Sequence, residues 1–426
     1  MKFYQDKNVL TAARERLEFM FDHFDHVYFS LSGGKDSGVM VQLADQIACE
    51  KGIKFDLLIL DIEANYDSTC VFLEQLKKLN GVKDSYHFCL PFFEDNTTSI
   101  FQPQWMLWDP SEQDKWVQSL PDDAIQEEDL DTELYAIYQA SNKNPDRFLR
   151  MFSYWYKKKQ GNGLVACGIG IRAQESLQRY CSIIKGDNKG FGKGWINKYT
   201  EGVYNAYPIY DWKVEDIWGA TALFNWEMNS FYERLYRMGV PLSEMRICQP
   251  FGLQQRKGLA QYALVEPKTW ERVINRVSGA NFGQIYAKTS LLGYYSSNKP
   301  KHMTWQEYSI FLLETMGLYS KKLQDHYYRK IKILMDYYQN KFNFSPDLMP
   351  DEASKKDWEK DERLWHNWKG IAKALEKNDF GLLTRQYSFT KKDEEELYDL
   401  FLEFNSNLGI EHLPKKQRNA IEKRLG

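Results

Sequence analysis

The sequence is poor in cysteine, and its cysteines are not spaced for a metal cluster. There are six among 426 residues. The two that lie closest, Cys167 and Cys181, are far outside the C-x-x-C spacing of zinc and iron–sulfur sites. We therefore expect reduced thiols and neither zinc nor iron–sulfur ligation by cysteine pairs. The sequence also has no internal repeat and no low-complexity segment.

Long uncharged apolar runs, a signal-peptide pattern and an excess of positive charge are also missing. Without the first two, we expect a soluble, cytoplasmic protein. The formal net charge is −3 and the isoelectric point is near 6.2, which argues against a surface coated with positive charge for nucleic-acid binding but leaves room for a local basic patch. At 426 residues the chain is long for one core, so two domains are expected.

What the sequence does contain is a predicted strand, glycine turn and helix in residues 27–41, VYFSLSGGKDSGVMV. The turn aims backbone N–H groups and the positive end of the helix dipole at the space above the strand, where an anion fits. Lys35 adds a positive charge, and Asp36 is placed to cap the helix or to help hold a metal ion. The expected binding residues are Leu31, Ser32, Gly33, Gly34, Lys35, Asp36 and Ser37.

The spacing of this turn is neither that of a Walker A loop nor that of the G-x-G-x-x-G fingerprint. Its Ser-Gly-Gly-x-Asp-Ser pattern resembles the pyrophosphate loop of the N-type ATP pyrophosphatases, which split ATP between its α and β phosphates. The resemblance implies that the loop holds the β and γ phosphates. The alternative is a structural Gly-Gly turn between a core strand and a core helix.

An apolar run at residues 54–61, KFDLLILD, is typical of a strand buried on both faces of a parallel sheet. Polar side chains follow it directly. Because ligands bind outside the carboxyl ends of such strands, we expect this segment to lie near a nucleoside. The residues concerned are Asp61, Ile62, Glu63 and Tyr66. A polar loop that caps a helix over residues 67–80 is the alternative.

A third strand is predicted over residues 85–90. The long aromatic and acidic stretch that follows, residues 93–143, predicts a solvated lid or a helical insertion. A helix over residues 144–159 is then expected to return to the sheet.

A second group of candidate site residues follows a predicted buried strand at residues 164–168. The pattern predicts a helix opening at Arg172, with Arg172 and Ser176 four residues apart, and Glu175 and Arg179 likewise. Guanidinium groups fixed there would neutralise charge moving onto a leaving pyrophosphate, whereas a surface helix with ordinary ion pairs is the alternative. The candidates are Gly170, Arg172, Glu175, Ser176 and Arg179, and Arg246 is a further basic residue downstream.

From about residue 257 the sequence pattern changes to aromatic-rich helical stretches separated by polar loops. We therefore expect a nucleotide-binding domain over residues 1–256 and a mainly helical domain over 257–426. Its predicted helices are 305–318, 321–342 and 357–378. Basic and aromatic residues interleave in the second of these helices. Solvated helix faces or a nucleic-acid patch explain this pattern. The residues are Lys321, Lys322, Tyr327, Tyr328, Arg329, Lys330 and Lys332.

Residues 170–176 together with PIYDWKVEDIW at 208–218 are similar to the phosphoadenosine phosphosulfate (PAPS) reductase superfamily. The longer pattern, with EANY and RICQPFGLQQRKGL, looks most like its immunoglobulin-binding regulator A (IbrA) group. The resemblance implies an adenine nucleotide alpha hydrolase-like fold, which is α/β with a mostly parallel sheet flanked by helices and a mainly helical C-terminal domain. It also implies a ParB-like partner protein.

One departure from that superfamily separates the possible reactions. Thiol-dependent reductases in it carry a cysteine near the C-terminus, and this sequence has none after Cys248. We therefore predict that an acceptor oxygen attacks the α-phosphate of ATP, giving an adenylylated product and pyrophosphate, with Mg²⁺ sharing the charge. The expected catalytic residues are Lys35, Asp36, Arg172 and Arg179, with Asp36 as the candidate metal ligand.

Two alternatives stay open at this point. One keeps a sulfonucleotide such as PAPS as the ligand, with sulfur transferred to another acceptor. The other is a non-enzymatic, nucleotide-sensing regulator that binds DNA with its partner.

Overall fold

Eight strands are present in the described part of the computed structural model, and six of them form one sheet. In chain order they are β1 (His26–Ser30), β2 (Phe55–Leu60), β3 (Val82–Phe88), β4 (Phe93–Asp95), β5 (Gln104–Met106), β6 (Val165–Ile169), β7 (Ile196–Thr200) and β8 (Val203–Ala206). The sheet has the order β3-β2-β1-β6-β8-β7, and β4 pairs with β5 separately. All neighbours in the sheet are parallel except β7 and β8.

The structure describes residues 6–96, 104–184, 189–247, 250–251, 263–277, 279, 299–343, 345, 348–377, 379–385 and 387–405. The chain divides into two units. The first unit comprises Met1–Glu94, Met106–Gln249 and Gln261–Trp270, and the second comprises Asp95–Trp105, Pro250–Ala260 and Glu271–Gly426. The predicted boundary between residues 256 and 257 lies outside the described residues and stays a prediction.

Helices make up most of the remaining described chain. They are α1 (Val9–His23), α2 (Lys35–Lys51), α3 (Asp67–Lys77), α4 (Thr132–Ala140), α5 (Pro145–Lys159), α6 (Leu177–Ile184), α7 (Val214–Phe224), α8 (Ser230–Arg237), α9 (Pro267–Arg276), α10 (Trp305–Tyr319), α11 (Lys321–Phe342), α12 (Lys355–Lys360), α13 (Trp368–Glu376) and α14 (Lys391–Asn405). Short 3-10 turns are Pro110–Lys115, Glu127–Asp129, Gly190–Gly192, Leu242–Glu244, Glu362–Trp365 and Leu383–Arg385. None of the helices described has the length and apolar character needed to cross a membrane.

Alternation along β1 explains why helices cover both faces of the sheet. Val27 and Phe29 point to one face, where they join the core formed with Leu43 of α2. Tyr28 points to the other face, where its ring centroid lies 4.8 Å from that of Tyr156 in α5. Because both faces are apolar, the sheet is buried on both sides. The predicted α/β fold, with its mostly parallel sheet and a helical C-terminal region, is confirmed.

The order of the strands determines which edge of the sheet receives a ligand. From β1 the chain runs outward through β2 to β3, and it then returns to place β6 on the opposite side of β1. The connections that leave β1 and β6 therefore diverge at their carboxyl ends. Such a divergence opens the crevice in which open α/β sheets bind their ligands.

Residues 93–143 were predicted to form a solvated lid or a helical insertion. The described part contains two 3-10 turns and α4, as a helical insertion would, and it is not a solvated lid. Leu107, Trp108 and Tyr138 are all buried. The Tyr138 hydroxyl also donates a hydrogen bond to the Pro91 carbonyl at 2.8 Å. The aromatic rings of residues 106–143, rather than the many charges there, decide that this part is packed within the first unit.

Two further elements differ from the sequence-based expectation. The hairpin of β7 and β8 was not predicted, because β7 alternates polar and apolar residues too weakly to be distinguished from a loop. The helix predicted over residues 357–378 is divided into α12, a 3-10 turn and α13. The side chain of Asn367 starts α13 by accepting the Gly370 N–H at 2.9 Å, so the chain turns before this helix begins.

In the second unit, α10, α11, α13 and α14 surround a core that includes Tyr327. The basic stretch in α11 was interpreted as a solvated helix face or a nucleic-acid patch, and both interpretations are wrong for three of its residues. Tyr327 and Lys330 are buried, and Arg329 forms ion pairs. Arg329 Nη2 lies 2.6 Å from Asp393 Oδ1, and Lys330 Nζ lies 2.9 Å from Asp393 Oδ2. These charges stabilise the packing of α11 against α14, so this part of α11 is no nucleic-acid patch.

Asp393→Asn tests this buried ion cluster. Burial raises the pKa of Asp393, but hydrogen bonds from the Thr390 N–H, Arg329 and Lys330 outweigh it and lower the pKa to about 2. The carboxylate therefore contributes its full stabilisation at pH values above its ordinary pKa of 3.8. This stabilisation is lost as the pH falls through about 2. We expect the variant to lose about 3 kcal/mol of unfolding free energy at pH 7, measured by denaturant titration of the full chain.

Asp325→Asn is the control, because Asp325 pairs with Lys321 at 2.8 Å on the exposed face of α11, the helix that carries Arg329 and Lys330. We expect a loss below about 0.5 kcal/mol for this variant. The difference between wild type and Asp393→Asn should shrink as the pH falls from about 4 towards 2. A difference that stays constant over that range would contradict the assignment.

Candidate functional site

The turn between β1 and α2 leaves backbone N–H groups pointing out of the carboxyl edge of the sheet. Gly34 is the residue before α2, and it has no side chain that could cap the helix. The Gly38 N–H makes the first hydrogen bond of the helix, to the Gly34 carbonyl at 3.0 Å. The N–H groups of the first helical turn precede this bond. Gly33 has φ of +68°, and a Cβ there would lie 2.5 Å from Thr69 Cγ2, so the turn requires glycine. The arrangement has the geometry that can accept an anion, with the positive end of the helix dipole behind it.

Side chains hold this turn in shape. The Ser37 hydroxyl donates to the Gly34 carbonyl at 3.1 Å and lies 3.1 Å from the Ser32 hydroxyl. Asn229 Nδ2 donates to the Gly33 carbonyl at 3.1 Å. The two serines predicted to bind phosphate therefore also support the loop itself.

Lys35 is buried, and its ammonium group is engaged by the protein. Nζ donates to the Met245 carbonyl at 2.8 Å and lies 4.9 Å from the centre of the Tyr232 ring. Burial lowers the pKa of Lys35, and the neighbouring Asp36 carboxylate opposes this shift. The backbone N–H of Lys35 donates to the Tyr232 hydroxyl at 3.2 Å. A bound phosphate would compete with both of these neutral oxygen acceptors.

The carboxyl end of β6 meets the same helical turn. A Cβ on Gly170 would lie 2.7 Å from Ser37 Cα, so the two backbones are in direct contact. Just beyond it, Arg172 donates to Asp36 through Nε at 2.7 Å and Nη2 at 3.4 Å. Arg172 is buried. The structure thus brings together Lys35, Asp36, Gly170 and Arg172 as predicted residues of one site.

The expected helix opening at Arg172 is wrong, because α6 begins at Leu177 and residues 173–175 form a turn. The Ala173 N–H donates to the Tyr210 carbonyl at 2.8 Å instead of entering a helix. Arg172 is therefore free of the predicted helical pairing with Ser176 and reaches across to Asp36.

The residues after this turn form a second layer of polar contacts. Arg179 Nε lies 3.1 Å from Glu175 Oε2, and the Ser176 hydroxyl accepts the Arg179 N–H at 3.2 Å. Arg246 Nη2 donates to the Glu175 carbonyl at 2.6 Å. These contacts join the turn after β6 to the segment that carries Met245. Cys248 lies outside the described residues.

Asp36 is a poor fit for a magnesium ion in this arrangement. Both of its carboxylate oxygens accept hydrogen bonds from Arg172, and Lys35 Nζ lies 3.9 Å from Oδ2. Mg²⁺ favours carboxylate oxygens that can complete an octahedral shell with water. Two cationic side chains occupy those directions, so Arg172 supplies the positive charge beside Asp36.

A cavity of about 190 Å³ lies beside the turn between β1 and α2, above the ends of β1 and β2. Its lining is mostly apolar, with a few polar groups, which suits the sugar or base of a nucleoside. It is lined by Leu31, Ser32, Ile59, Leu60, Asp61, Ile62, Asn65, Leu73 and Ile247. Four predicted residues, Leu31, Ser32, Asp61 and Ile62, are among them.

Glu63 and Tyr66 are placed elsewhere. The fully buried Glu63 carboxylate accepts the Trp108 N–H at 2.6 Å and the Val117 N–H at 3.2 Å, so it anchors the stretch that follows β5. The buried Tyr66 ring lies 3.6 Å from the Phe231 ring between centroids. Neither residue lines the cavity beside the loop.

Three residues that hold the loop were not predicted: Asn229, Tyr232 and Met245. They contact the loop from positions about 200 residues further along the chain, so no local spacing connects them with it. Asn229 also starts α8 by accepting the Phe231 N–H at 3.0 Å. The Asn-Ser pair is the one local sequence pattern that indicates a helix start at this position.

The comparisons with known proteins extend over nearly the whole chain. A family model described as "Phosphoadenosine phosphosulfate reductase domain" matches residues 26–239, and one described as "Domain of unknown function (DUF3440)" matches residues 239–393. Over 399 residues the chain is 35% identical to "Uncharacterized protein YbdN" of Escherichia coli (strain K12), and the match covers 92% of this chain and 93% of that protein.

Solved structures show more distant similarity. The PAPS reductase of Candida auris, in a phosphate complex, has 11% identity over 55% of this chain and 93% of that chain, with a TM-score of 0.30. NMN synthetase from Francisella tularensis has 12% identity over 70% of this chain and 100% of that chain, with a TM-score of 0.28. The U34-tRNA thiolase NcsA from Methanococcus maripaludis has 14% identity over 70% and 85%, with a TM-score of 0.29.

Gly170→Ala tests the contact between the end of β6 and α2. The added Cβ meets the Ser37 backbone, which cannot rotate away, so either α2 or β6 must shift. We expect a loss of about 1–3 kcal/mol of unfolding free energy and faster hydrogen exchange of the amides in residues 35–38.

Gly219→Ala is the matched control, because a Cβ at that exposed position in α7 meets nothing within 4 Å. Alanine there should stabilise the helix by up to about 1 kcal/mol and leave exchange at residues 35–38 unchanged. Equal behaviour of the two variants would show that the packing of Gly170 is not constrained.

Proposed function

The chain belongs to the phosphoadenosine phosphosulfate reductase domain family, and we propose that it is a nucleotide-binding enzyme that cleaves ATP between the α and β phosphates to adenylylate an acceptor. The observation that carries the proposal is the convergence of three features at one edge of the sheet. The open first turn of α2, the buried Lys35 and the buried Arg172 meet where β1 and β6 diverge. This combination suits a polyphosphate better than a neutral ligand.

In the proposed complex, the N–H groups of Gly33 and Gly34 and the Lys35 ammonium hold the β and γ phosphates. The cavity lined by Asp61 and Ile62 receives the nucleoside. Lys35 then exchanges its neutral bond to the Met245 carbonyl for a bond to a charged phosphate oxygen, which is roughly twice as strong.

The proposed reaction is an in-line displacement at the α-phosphate. A bond forms between the acceptor oxygen and the α-phosphorus, and the bond from that phosphorus to the bridging oxygen breaks. Pyrophosphate leaves with the bridging oxygen and its electron pair, and an acceptor hydroxyl releases its proton to water. Lys35 and Arg172 stabilise the negative charge on the departing group. Arg179, through its ion pair with Glu175, positions the turn that carries Arg172.

A sulfonucleotide such as PAPS is the second candidate ligand, and the description of the matching family model favours it. Its adenosine and phosphates would use the same cavity and the same loop. Reduction by a C-terminal cysteine is disfavoured, because the sequence has no cysteine after Cys248. Membership of the IbrA group, a ParB-like partner, a role for Mg²⁺ and a regulator that binds DNA all stay predictions.

Lys35→Ala tests the phosphate loop directly. We expect ATP affinity to fall by about 30-fold or more, since a charge-assisted bond to phosphate is worth roughly 2 kcal/mol. Calorimetric titration with ATP measures this loss, a coupled assay measures pyrophosphate release, and circular dichroism checks the fold. Lys51→Ala, at the other end of the same helix, is the control and should bind like the wild type.

Undiminished ATP binding by Lys35→Ala would remove the central assignment. The same titration with PAPS separates the two candidate ligands, because the true substrate should bind more tightly and show the larger loss. DNA binding without nucleotide turnover would favour the regulatory alternative instead.

Tyr232→Phe tests whether phosphate takes the place of the tyrosine hydroxyl. In the structure this hydroxyl occupies the Lys35 N–H. Without it the N–H is available, and we expect ATP to bind up to about 5-fold more tightly, while the free protein loses about 1 kcal/mol of stability. A large loss of ATP affinity, with the fold intact, would mean that the hydroxyl itself contacts the ligand.

A further inference from the structure

A second group of chemically active side chains lies at the same edge of the sheet, on the side of β2 and β3. Asp61 directly follows β2, His87 lies near the end of β3, and Cys89 follows β3. The two strands are parallel neighbours, and the Asp61 N–H donates to the Phe88 carbonyl at 2.9 Å. Since His87 and Cys89 are two residues apart on an extended segment, their side chains share a face.

These three side chains converge on one point. One oxygen of Asp61, one nitrogen of His87 and the sulfur of Cys89 all lie within 4.8 Å of one another. Each of the three residues is at least 96% buried, with exposures of 4%, 1% and 2%. His87 Nε2 lies 3.2 Å from Asp61 Oδ2. A buried oxygen, nitrogen and sulfur at this separation form the donor set of a metal site.

Neighbouring polar groups hold the side chains of Asp61 and His87 in place. Asp61 Oδ1 accepts the Glu63 N–H at 2.7 Å, and Asn65 Nδ2 donates to both Asp61 oxygens at 3.2 Å, which fixes the carboxylate with Oδ2 facing His87. His87 Nδ1 lies 3.3 Å from Asp123 Oδ1 and 3.3 Å from Lys77 Nζ, so an ion pair with a carboxylate supports the far side of the imidazole ring. Histidines that bind metal ions are typically oriented by such a carboxylate.

The other two groups of this type in the described chain differ in one respect. Glu74, His87 and Asp123 surround Lys77, whose ammonium pairs with both carboxylates. In the second unit, His326, Asp393 and Glu396 are paired with basic side chains of α11. Those two groups already contain a cation. In the group formed by Asp61, His87 and Cys89, Lys77 contacts only the far side of the histidine ring, at Nδ1. None of the contacts in the described chain places a cationic side chain on Asp61 Oδ2, His87 Nε2 or Cys89 Sγ.

We propose that Asp61 Oδ2, His87 Nε2 and Cys89 Sγ bind a divalent transition-metal ion of the zinc type. Nitrogen and sulfur donors favour Zn²⁺ over Mg²⁺ or Ca²⁺. Binding replaces the contact between His87 and Asp61, and it releases the proton of the Cys89 thiol and the proton on Nε2. A water molecule or another donor completes the fourth position. The Asp61 carboxylate and the Cys89 thiolate balance the two charges of the ion, while Asp123 stays paired with Lys77.

The spacing of cysteines along the chain gives no indication of this site. Only one of its ligands is a cysteine, and Asp61 joins the others because β2 and β3 are neighbours in the sheet. The proposal does not depend on ATP as the substrate, since it rests on these three residues and their contacts.

The test uses the full-length protein, stripped with a chelator and kept reduced, then titrated with Co²⁺ as a spectroscopic substitute for Zn²⁺. We expect one equivalent to bind and to give the near-ultraviolet absorption of a cobalt–thiolate bond, which excess Zn²⁺ then removes. Cys89→Ser should abolish that absorption. Asp61→Asn and His87→Gln should each weaken Co²⁺ binding at least 10-fold.

Cys49→Ser and Cys248→Ser are the controls for other thiols, and both should keep the cobalt spectrum of the wild type. Wild-type protein that shows no thiolate absorption would overturn the proposal, whatever the variants do. So would a spectrum that survives in Cys89→Ser. If a ligand variant fails to fold, the unfolding temperature of the wild type decides the question. We expect Zn²⁺ to raise this temperature when the protein is kept reduced and not to raise it when the thiols are oxidised.

Discussion

Direct backbone contact between the end of β6 and the first turn of α2 is the constraint on which the candidate site depends. Gly170 leaves no side chain between them, and a Cβ there would overlap Ser37 Cα. Because the two elements touch, the guanidinium of Arg172 reaches the Asp36 carboxylate from the neighbouring strand connection. A larger residue at position 170 would separate the cation from the helix N-terminus. The anion site would then lose one of its two buried positive charges.

Each charged group of this site has a partner without a ligand, although the two cations exceed the one carboxylate by one positive charge. Asp36 compensates Arg172, and the Met245 carbonyl satisfies the Lys35 ammonium. The loop is therefore held close to one conformation, and a ligand gains affinity because little ordering remains to be done. The partners that a phosphate would replace are a carbonyl and a hydroxyl. Both are neutral, so the exchange favours an anion without requiring movement of β1 or α2.

Sequence reasoning predicted the elements whose side chains and turns are determined locally. The β1 turn, the first two strands and α2 follow from an apolar run, two glycines and helical spacing. The positions of Asp61 and Arg172 at the same edge follow from parallel pairing. The role of Glu63 was not predictable, because its partners Trp108 and Val117 belong to a stretch whose path no periodicity indicates.

The limits of sequence reasoning are clearest for residues that act over long separations. Tyr232 and Asn229 contact the loop from α8 and from the residue before it, and only the folded chain brings them there. In α11, alternating lysines and tyrosines have the pattern of a surface. Burial of Lys330 requires Asp393, which lies 63 residues further on. A buried charge can be recognised only together with its partner.

The two ends of the carboxyl edge carry opposite charge, and this difference gives a ligand its direction. Lys35 and Arg172 outnumber Asp36 at the α2 end, whereas the buried Asp61 carboxylate lies at the end of β2. A nucleotide with its phosphates at the α2 end and its base towards Asp61 is favoured over the reverse orientation, because buried charges are weakly screened. A divalent ion bound by Asp61 and Cys89 would leave this difference unchanged, because the two protons that leave the Cys89 thiol and His87 Nε2 offset the two positive charges of the ion.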